Sequence, residues 1–342
     1  MIGTYLHIGG PKCASKSLQQ GFFHPHPQLY HLGMGSANGM VTWPHSDMQR
    51  VVEVDIRLKR DFAYHPDQVK AVIARHREAA ERAGGDVRML GASYENLSCT
   101  LPHDVDLTTK AIRLFDVFGA ESKIVFVFRN QISLIKSVYA ELLCAGLKKS
   151  FVEYVDHLIE TQYRSALVDM QFDSLVQLYA HLFGAERIFA TPLETVLSDS
   201  AAYTGSLADF LGVDRPGAGL PNLNQSLTPQ QLTVMRRLND KTNHDLGGSQ
   251  ADLMFGFRQE NYFREELGRG LSLDAVIDQQ LIAFNYRLAS EIGKAPGLAP
   301  LPMDLREDQR RFLDDYFRAE NQRLAERLGL DLRAMGYPGM AS

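Results

Sequence analysis

The chain has 342 residues, 45% of them hydrophobic and 23% charged, so it is long and apolar enough to bury a large core. A net charge of -5 excludes the basic overall surface expected of a nucleic-acid-binding protein, although a local basic pocket stays open. Three cysteines without a C-x-x-C pair exclude a disulfide scaffold and favour a reducing compartment, so we expect a cytoplasmic protein.

The N-terminal segment has no basic stretch ahead of a long apolar run, so it predicts a strand and no signal peptide. The clearest apolar run beside a predicted strand, residues 124–128, is too short to span a bilayer. We therefore expect no transmembrane segment, and peripheral contact with a membrane surface stays open.

Strands and helices alternate along the first half of the sequence. Apolar runs predict strands at residues 5–8, 87–92, 123–128 and 187–191. Periodic apolar positions predict helices at residues 66–83, 107–118 and 172–183. Residues 25–44 are rich in glycine, proline and histidine and predict a long irregular loop. The alternation predicts an α/β fold, with a mostly parallel sheet flanked by helices.

The second half is predicted to be largely helical. Thr228-Pro229-Gln230-Gln231 predicts a helix start, with a capping hydroxyl, proline at the first position and glutamine three residues after the cap. Residues 293–302 read as a linker, and residues 306–328 predict a last amphipathic helix.

The strongest single feature is Gly9-Gly10-Pro11-Lys12-Cys13-Ala14-Ser15-Lys16-Ser17, between the first strand and a helix. N–H groups at a helix start attract anions, glycines allow close backbone approach, and two lysines add charge. The segment therefore predicts a phosphate-binding loop. The alternative is a capped strand-to-helix turn whose lysines are only solvated.

Residues 10–17 come close to the P-loop pattern G-x-x-x-x-G-K-[ST], with Ser15 where the second glycine belongs. A P-loop NTPase also needs an aspartate at a neighbouring strand end to help hold Mg²⁺. The predicted strands instead lead into Ser93-Tyr94-Glu95 and into Arg129. An arginine at that place suits a second phosphate, so we expect no metal.

Two motifs resemble the PAPS-dependent sulfotransferase superfamily, where PAPS is 3'-phosphoadenosine 5'-phosphosulfate. His7 to Lys12 with Ser17-Leu18-Gln19 is similar to its 5'-phosphosulfate loop. Residues 124–139 resemble its 3'-phosphate element, with a strand, an arginine, and a serine eight residues later. The resemblance covers residues 1–215 and, more loosely, the C-terminal half, whose tail is similar to bacterial carbohydrate sulfotransferases.

The resemblance implies a P-loop-like parallel sheet and a role for each matching residue. Lys12 would be catalytic, neutralising charge on the leaving nucleotide. The 5'-phosphate would be held by Gly10, Lys12, Cys13, Ala14, Ser15, Lys16 and Ser17. Arg129 and Ser137 would hold the 3'-phosphate that distinguishes PAPS from ATP. No metal is required.

The sequence departs from the family pattern at three places. Cys13-Ala14 replaces Thr/Ser-Gly, Lys16 replaces threonine, and Gln131 replaces the proline after Arg129-Asn130. Because Cys13 lies beside Lys12 near a helix start, its thiol pKa is expected to be lowered.

Transfer to a hydroxyl needs a base for the acceptor proton. Glu95 follows a predicted strand at the ligand-binding edge of the sheet, within a motif similar to the S-x-E-x-L of bacterial members, and is our candidate. The alternatives are the histidines His103, His24, His26, His31 and His45.

The predicted function is sulfuryl transfer from PAPS to an acceptor hydroxyl, that of a sugar or glycoconjugate, without nucleic acid as a partner. We expect one domain over residues 1–342, with a nucleotide-binding core at 1–215 and a helical extension at 216–342 for the acceptor site or oligomerisation. A homodimer stays open. The alternatives are a P-loop metabolite kinase and a non-catalytic nucleotide-binding protein.

Overall fold

The computed structural model describes most of the chain and forms two compact units. The described residues are 2–37, 40–101, 104–144, 146–217, 219–221, 227–241 and 273–340. The first unit comprises Met1–Gln131, Ala166–Asn224 and Asp314–Ser342. The second comprises Ile132–Ser165 and Gln225–Leu313.

The described strands form one main sheet and one small ladder. In chain order they are β1 Gly3–His7, β2 Leu29–His31, β3 Gly35–Ala37, β4 Met40–Thr42, β5 Met89–Ser93, β6 Lys123–Phe128 and β7 Ile188–Pro192. The main sheet has the order β2-β5-β1-β6-β7, and every pair in it is parallel, whereas β3 and β4 pair antiparallel. The predicted α/β fold with a parallel sheet is confirmed.

Helices occupy most of the connections between the main-sheet strands and most of the described part of the second half. They are α1 Ser15–Leu18, α2 Ser46–Arg50, α3 Pro66–Arg82, α4 Leu107–Phe118, α5 Gln131–Cys144, α6 Phe151–Glu160, α7 Ala166–Asp169, α8 Phe172–Phe183, α9 Leu193–Ser198, α10 Ser200–Leu211, α11 Pro229–Lys241, α12 Leu273–Ile292 and α13 Glu307–Leu328. Helix α1 continues as a π-helical turn, Gln19–Phe23, and α2 continues as another, Val51–Ile56. Within the described ranges, no helix is both long and apolar enough to cross a membrane.

Strand β6 is buried on both faces, as its continuous apolar run predicts, and β1 beside it is buried on both faces as well. Gly91 of β5 pairs with Tyr5 of β1, and a Cβ at Gly91 would lie 2.1 Å from the Tyr5 carbonyl oxygen. Only glycine therefore allows these two strands to approach each other at that point.

The prediction of an irregular loop over residues 25–44 is wrong in part. This stretch contains β2, which forms the edge of the main sheet by pairing with β5, and the β3–β4 ladder. Strand β2 has only three residues, too few to show a two-residue alternation, so its pairing is decided by the neighbouring strand.

The second unit contains the predicted capping box. Thr228 N–H donates to Gln231 Oε1 at 2.8 Å, and Gln231 N–H donates to Thr228 Oγ1 at 3.3 Å. The predicted start of α11 is therefore confirmed. Within the same unit, Asn239 donates to the carbonyls of Leu143 and Leu147, which joins α11 to the end of α5.

Two buried histidines lie in strands of the main sheet, His7 in β1 and His31 in β2. The Tyr5 hydroxyl lies 2.7 Å from His31 Nδ1, and His31 Nε2 lies 2.9 Å from the Met34 carbonyl oxygen. His7 Nδ1 lies 2.6 Å from Ser93 Oγ. Burial lowers the pKa of His7 to about 3 and that of His31 to about 4, so both imidazoles are neutral at pH 7.

Because both imidazoles are buried in the neutral form, we expect the protein to lose stability in weak acid. Between pH 6.5 and 4 the unfolded chain binds protons that the folded chain excludes, so the free energy of unfolding falls as pH falls. For His31 the loss between pH 7 and pH 5 is about 2 kcal/mol. We expect His31→Gln to reduce the acid loss by that amount, measured as denaturant-derived stability at pH 7 and pH 5.

The matched control is His65→Gln, at an exposed histidine of the same unit. Its acid loss should equal that of the wild type, because folding does not bury its imidazole. If His31→Gln loses as much free energy of unfolding between pH 7 and pH 5 as the wild type, other groups cause the loss.

Candidate functional site

The phosphate-type loop is built on a strained backbone. Gly9 has a φ of +50°, and Lys12 and Ala14 have φ values of 62° and 61°. Left-handed residues in such a turn bring backbone N–H groups together in a concavity that suits an anion. Two non-glycine residues in this conformation within three positions are typical of a functional loop.

Gly10 lets the loop pack onto the sheet. A Cβ at this position would lie 2.6 Å from the Val127 carbonyl oxygen of β6 and 2.9 Å from Cys13 Sγ. The Gly10 carbonyl oxygen accepts from Cys13 N–H at 3.2 Å and from Ser15 Oγ at 3.5 Å. The loop is therefore fixed between the ends of β1 and β6, while Lys16 is exposed at the start of α1.

Three neighbouring strands end beside this loop. Because β1 lies between β5 and β6, the loop lies between Glu95, just after β5, and Arg129, just after β6. Tyr94 N–H donates to the His7 carbonyl oxygen at 3.0 Å, which continues the pairing of β5 with β1. The sheet thus brings together residues that are far apart in the sequence.

Glu95 opens a short turn, Glu95–Leu97, that is joined to the loop. The Ser98 hydroxyl donates to the Gly9 carbonyl oxygen, and Ser98 Oγ lies 3.1 Å from the Glu95 carbonyl oxygen. A Cβ at Gly9 would lie 3.2 Å from Glu95 Cα. The predicted base therefore lies against the predicted phosphate loop.

A buried lysine, not predicted from the sequence, holds the Glu95 turn. Lys110 Nζ donates to the carbonyl oxygens of Asn96 and Cys99, at 3.1 and 2.6 Å, and pairs with Asp104 at 2.6 Å. Asp104 also pairs with Arg57 at 2.9 Å. All three side chains are almost fully buried. A lysine among the buried residues of α4 is the sequence signal that would have identified it.

Cys13 does not have the expected lowered pKa. Its thiol is buried, and burial raises the pKa well above the ordinary value. Arg129 and Lys12 act in the opposite direction but are outweighed, because a thiolate is poorly solvated in a buried site. The expectation of a lowered thiol pKa is wrong.

Arg129 lies after β6 with its side chain partly buried, and its charge acts on Cys13 and Tyr337. Among the described residues, no acidic side chain is within ion-pair distance of it. Ser137 lies on α5 in the second unit, so its predicted role beside Arg129 stays a prediction.

The contacts of Gln131 give a reason for glutamine at this position in place of proline. Its side-chain amide donates to Asn321 Oδ1 at 2.7 Å, and Asn321 Nδ2 lies 3.3 Å from Gln131 Oε1. Gln131 is fully buried and Asn321 nearly so. Proline could not form this amide pair, which joins the start of α5 to α13.

The candidate histidines have different positions. His26 is buried and its Nε2 lies 2.9 Å from the Asp214 carbonyl oxygen, and His31 forms the contacts given above. His24 is exposed, and His45 stacks on Tyr30. His103 lies outside the described residues. In the described part of the chain, no group of three or more His, Cys, Asp or Glu side chains is arranged to hold a metal ion.

No protein-family model matches the chain, and no curated protein sequence matches it. Three solved structures that match carry the name sulfotransferase. A sulfotransferase from Alicyclobacillus acidocaldarius is 15% identical over 70% of this chain and 93% of its own, with a TM-score of 0.45. The sulfotransferase domain of the Synechococcus PCC 7002 olefin synthase is 16% identical over 83% and 93%, with a TM-score of 0.35.

A sulfotransferase domain from the curacin biosynthetic pathway is 12% identical over 97% of this chain and 99% of its own, with a TM-score of 0.34. Because the identities are low and the TM-scores lie below 0.5, the case for an activity rests on the residues of this chain.

The left-handed backbone at Ala14 predicts a stabilising substitution. An L-residue in this conformation costs about 1–2 kcal/mol that glycine does not. We expect Ala14→Gly to raise the free energy of unfolding by about 1 kcal/mol, measured by denaturant titration.

Ala74→Gly is the matched control, since Ala74 is exposed within α3 and has a helical backbone. The same change there should lower stability by about 1 kcal/mol. Destabilisation of both variants would contradict a strained Ala14.

Proposed function

We propose that this protein is a sulfotransferase that moves the sulfuryl group of PAPS to an acceptor hydroxyl. The observation that carries the proposal is the order β5-β1-β6, which sets a phosphate-type loop between a carboxylate and an arginine. In the proposal, the loop and Arg129 each bind an anion and Glu95 acts as the base, which are the parts that the reaction needs.

The proposed contact residues suit a nucleotide whose ribose carries phosphate groups at both its 5' and its 3' position. On the 5' side, the proposed contacts are Gly10, Lys12, Cys13, Ala14, Ser15, Lys16 and Ser17. On the 3' side they are Arg129 and Ser137. The absence of an ion pair at Arg129 within the described residues supports an anion as its partner.

When bound, PAPS supplies a sulfuryl group on a nucleotide leaving group, and its transfer to an acceptor oxygen is an in-line displacement. Lys12, held in the left-handed conformation at the centre of the loop, is proposed to neutralise the charge that grows on the leaving oxygen. The strained loop and its N–H groups keep that charge in one place.

Glu95 is proposed to accept the acceptor proton. The Ser98 hydroxyl joins its turn to the loop, and the buried Lys110 holds the carbonyls on the other side of the turn. A base whose backbone is fixed relative to the anion loop can be kept in line with the breaking bond.

The acceptor is proposed to be a sugar or glycoconjugate, bound in part by the helical extension at residues 216–342. A homodimer through that extension and a cytoplasmic location, with peripheral membrane contact as an option, complete the proposal. A P-loop kinase is the second candidate, since residues 10–17 approach its motif. The positions after β5 and β6 favour the sulfotransferase, because they carry a glutamate and an arginine in place of the aspartate that helps to hold Mg²⁺.

The first test is calorimetric binding of 3'-phosphoadenosine 5'-phosphate, ADP and ATP with Mg²⁺. We expect the 3'-phosphate nucleotide to bind best, without metal. Arg129→Ala should weaken it about 10- to 100-fold and leave ADP affinity nearly unchanged, because only one phosphate loses its charged partner.

Arg82→Ala, at an exposed arginine of α3, is the matched control and should leave all three affinities as in the wild type. Tighter binding of ATP with Mg²⁺, or no effect of Arg129→Ala, would replace the sulfotransferase by the kinase as the leading candidate.

The second test concerns Glu95. Glu95→Gln keeps the shape of the side chain but removes the base, so kcat should fall about 10²- to 10⁴-fold. The affinity for 3'-phosphoadenosine 5'-phosphate should stay within about twofold. Turnover is measured as release of that nucleotide with the best acceptor from a panel of glycosides and phenols.

Glu81→Gln, at an exposed glutamate of α3, controls for the loss of a surface charge. A kcat of Glu95→Gln close to that of the wild type would assign the base to another residue. A phenol as the best acceptor would overturn the sugar assignment alone.

A further inference from the structure

The end of the chain is hydrogen-bonded to the segment that carries Arg129. Asn130 Nδ2 donates to the Gly336 carbonyl oxygen at 2.7 Å and lies 3.4 Å from that of Met335. Asn321 Nδ2 donates to the Pro338 carbonyl oxygen at 2.9 Å. Residues 335–338, which we call the C-terminal segment, therefore pack beside the end of β6 within the first unit.

Glu194, two residues after β7, connects the backbone that follows Arg129 to the C-terminal segment. Its Oε1 accepts from Asn130 N–H at 3.1 Å, and its Oε2 accepts from the Tyr337 hydroxyl at 3.1 Å. One carboxylate thus receives a backbone donor next to Arg129 and a side-chain donor from the C-terminal segment. Hydrogen bonds to a charged acceptor are the stronger kind, and here both donor residues, Asn130 and Tyr337, are buried.

Tyr337 is held firmly enough to act as that donor. It is 2% exposed, and its ring meets the ring of Phe128, the last residue of β6, at a centroid distance of 6.2 Å. Burial and the adjacent Glu194 carboxylate raise the pKa of Tyr337 far above its ordinary value, so the hydroxyl keeps its proton.

Arg129 depends on its neighbours for its position. Phe128 before it is fully buried, and the residues after it are tied down by Glu194, Gly336 and Asn321. Its own side chain forms no ion pair with the described residues. The backbone that carries Arg129 is therefore held on both sides.

We propose that Tyr337 and Glu194 are positioning residues for Arg129, so that the C-terminal segment determines preference for a 3'-phosphate. This inference rests on the proposed function, in which Arg129 binds that phosphate. Neither residue needs to contact the nucleotide, because both act through the backbone at Asn130. The 5'-phosphate loop at residues 9–17 takes no part in these hydrogen bonds.

A purely structural role makes a different prediction. If Tyr337 only stabilises the fold, its loss lowers stability and weakens the binding of every nucleotide to the same degree. If it positions Arg129, its loss acts on the 3'-phosphate alone. The discriminating quantity is the ratio of the Kd of adenosine 5'-phosphate to that of 3'-phosphoadenosine 5'-phosphate.

The test is calorimetry with both nucleotides on the full chain and on Tyr337→Phe, which removes one hydroxyl and keeps the ring. We expect the ratio to fall about tenfold, because an Arg129 that is no longer held in position binds the 3'-phosphate less well. The Kd of adenosine 5'-phosphate should change by less than about twofold.

Tyr203→Phe is the matched control. Tyr203 lies on α10 of the same unit, is 3% exposed, and its hydroxyl has no hydrogen-bond partner among the described residues. The same atom is removed from an equally buried ring, so the ratio should stay at the wild-type value.

Two changes at Glu194 give an independent reading. Glu194→Ala removes both hydrogen bonds and should lower the ratio at least as much as Tyr337→Phe. Glu194→Gln can keep both, since its oxygen accepts from Asn130 N–H and its NH₂ donates to Tyr337, so it should retain the ratio.

The outcomes separate the two proposals. A wild type without preference for the 3'-phosphate sinks the proposed function itself. A wild-type preference that persists in Tyr337→Phe and Glu194→Ala overturns only the positioning role. An equal loss of affinity for both nucleotides also overturns the positioning role and would show that Tyr337 only stabilises the fold.

Discussion

Parallel pairing of β1 with β5 on one side and with β6 on the other is the constraint on which the candidate site depends. Parallel strands end at the same edge of a sheet, so the segments that follow these three strands must be neighbours. Two glycines allow close packing here. Gly91 leaves room for the carbonyl oxygen of Tyr5, and Gly10 leaves room for that of Val127. The turn that begins at Glu95, the loop and Arg129 are neighbours for this reason.

Buried and half-buried polar groups then hold each side of that edge. Lys110 and Asp104 fix the turn that carries Glu95, while Glu194 and Tyr337 fix the backbone that follows Arg129. Such groups are costly to bury unless they are paired, and each of these has its partners. The left-handed conformation of the loop between them is strain that the two sides of the site keep in place.

Much of the fold could be predicted from local pattern. Strand β6 and helices α4 and α8 have the bounds that apolar runs and periodic positions indicate, and the Thr228 cap forms as its spacing predicts. The phosphate-type loop was equally visible, because its glycines, lysines and hydroxyls are adjacent in the chain. In each case the deciding interactions join residues a few positions apart.

The sequence by itself thus determined the parallel sheet, most of its elements, and the candidate residues in the loop and after the strands. Only the tertiary structure decided that residues 29–31 form an edge strand, that burial raises the Cys13 pKa, and that Gln131 pairs with Asn321. It also brought Tyr337 to Glu194, 143 positions away in the chain. Pairing across such separations depends on how sheet and helices pack, and no local pattern of residues records that packing.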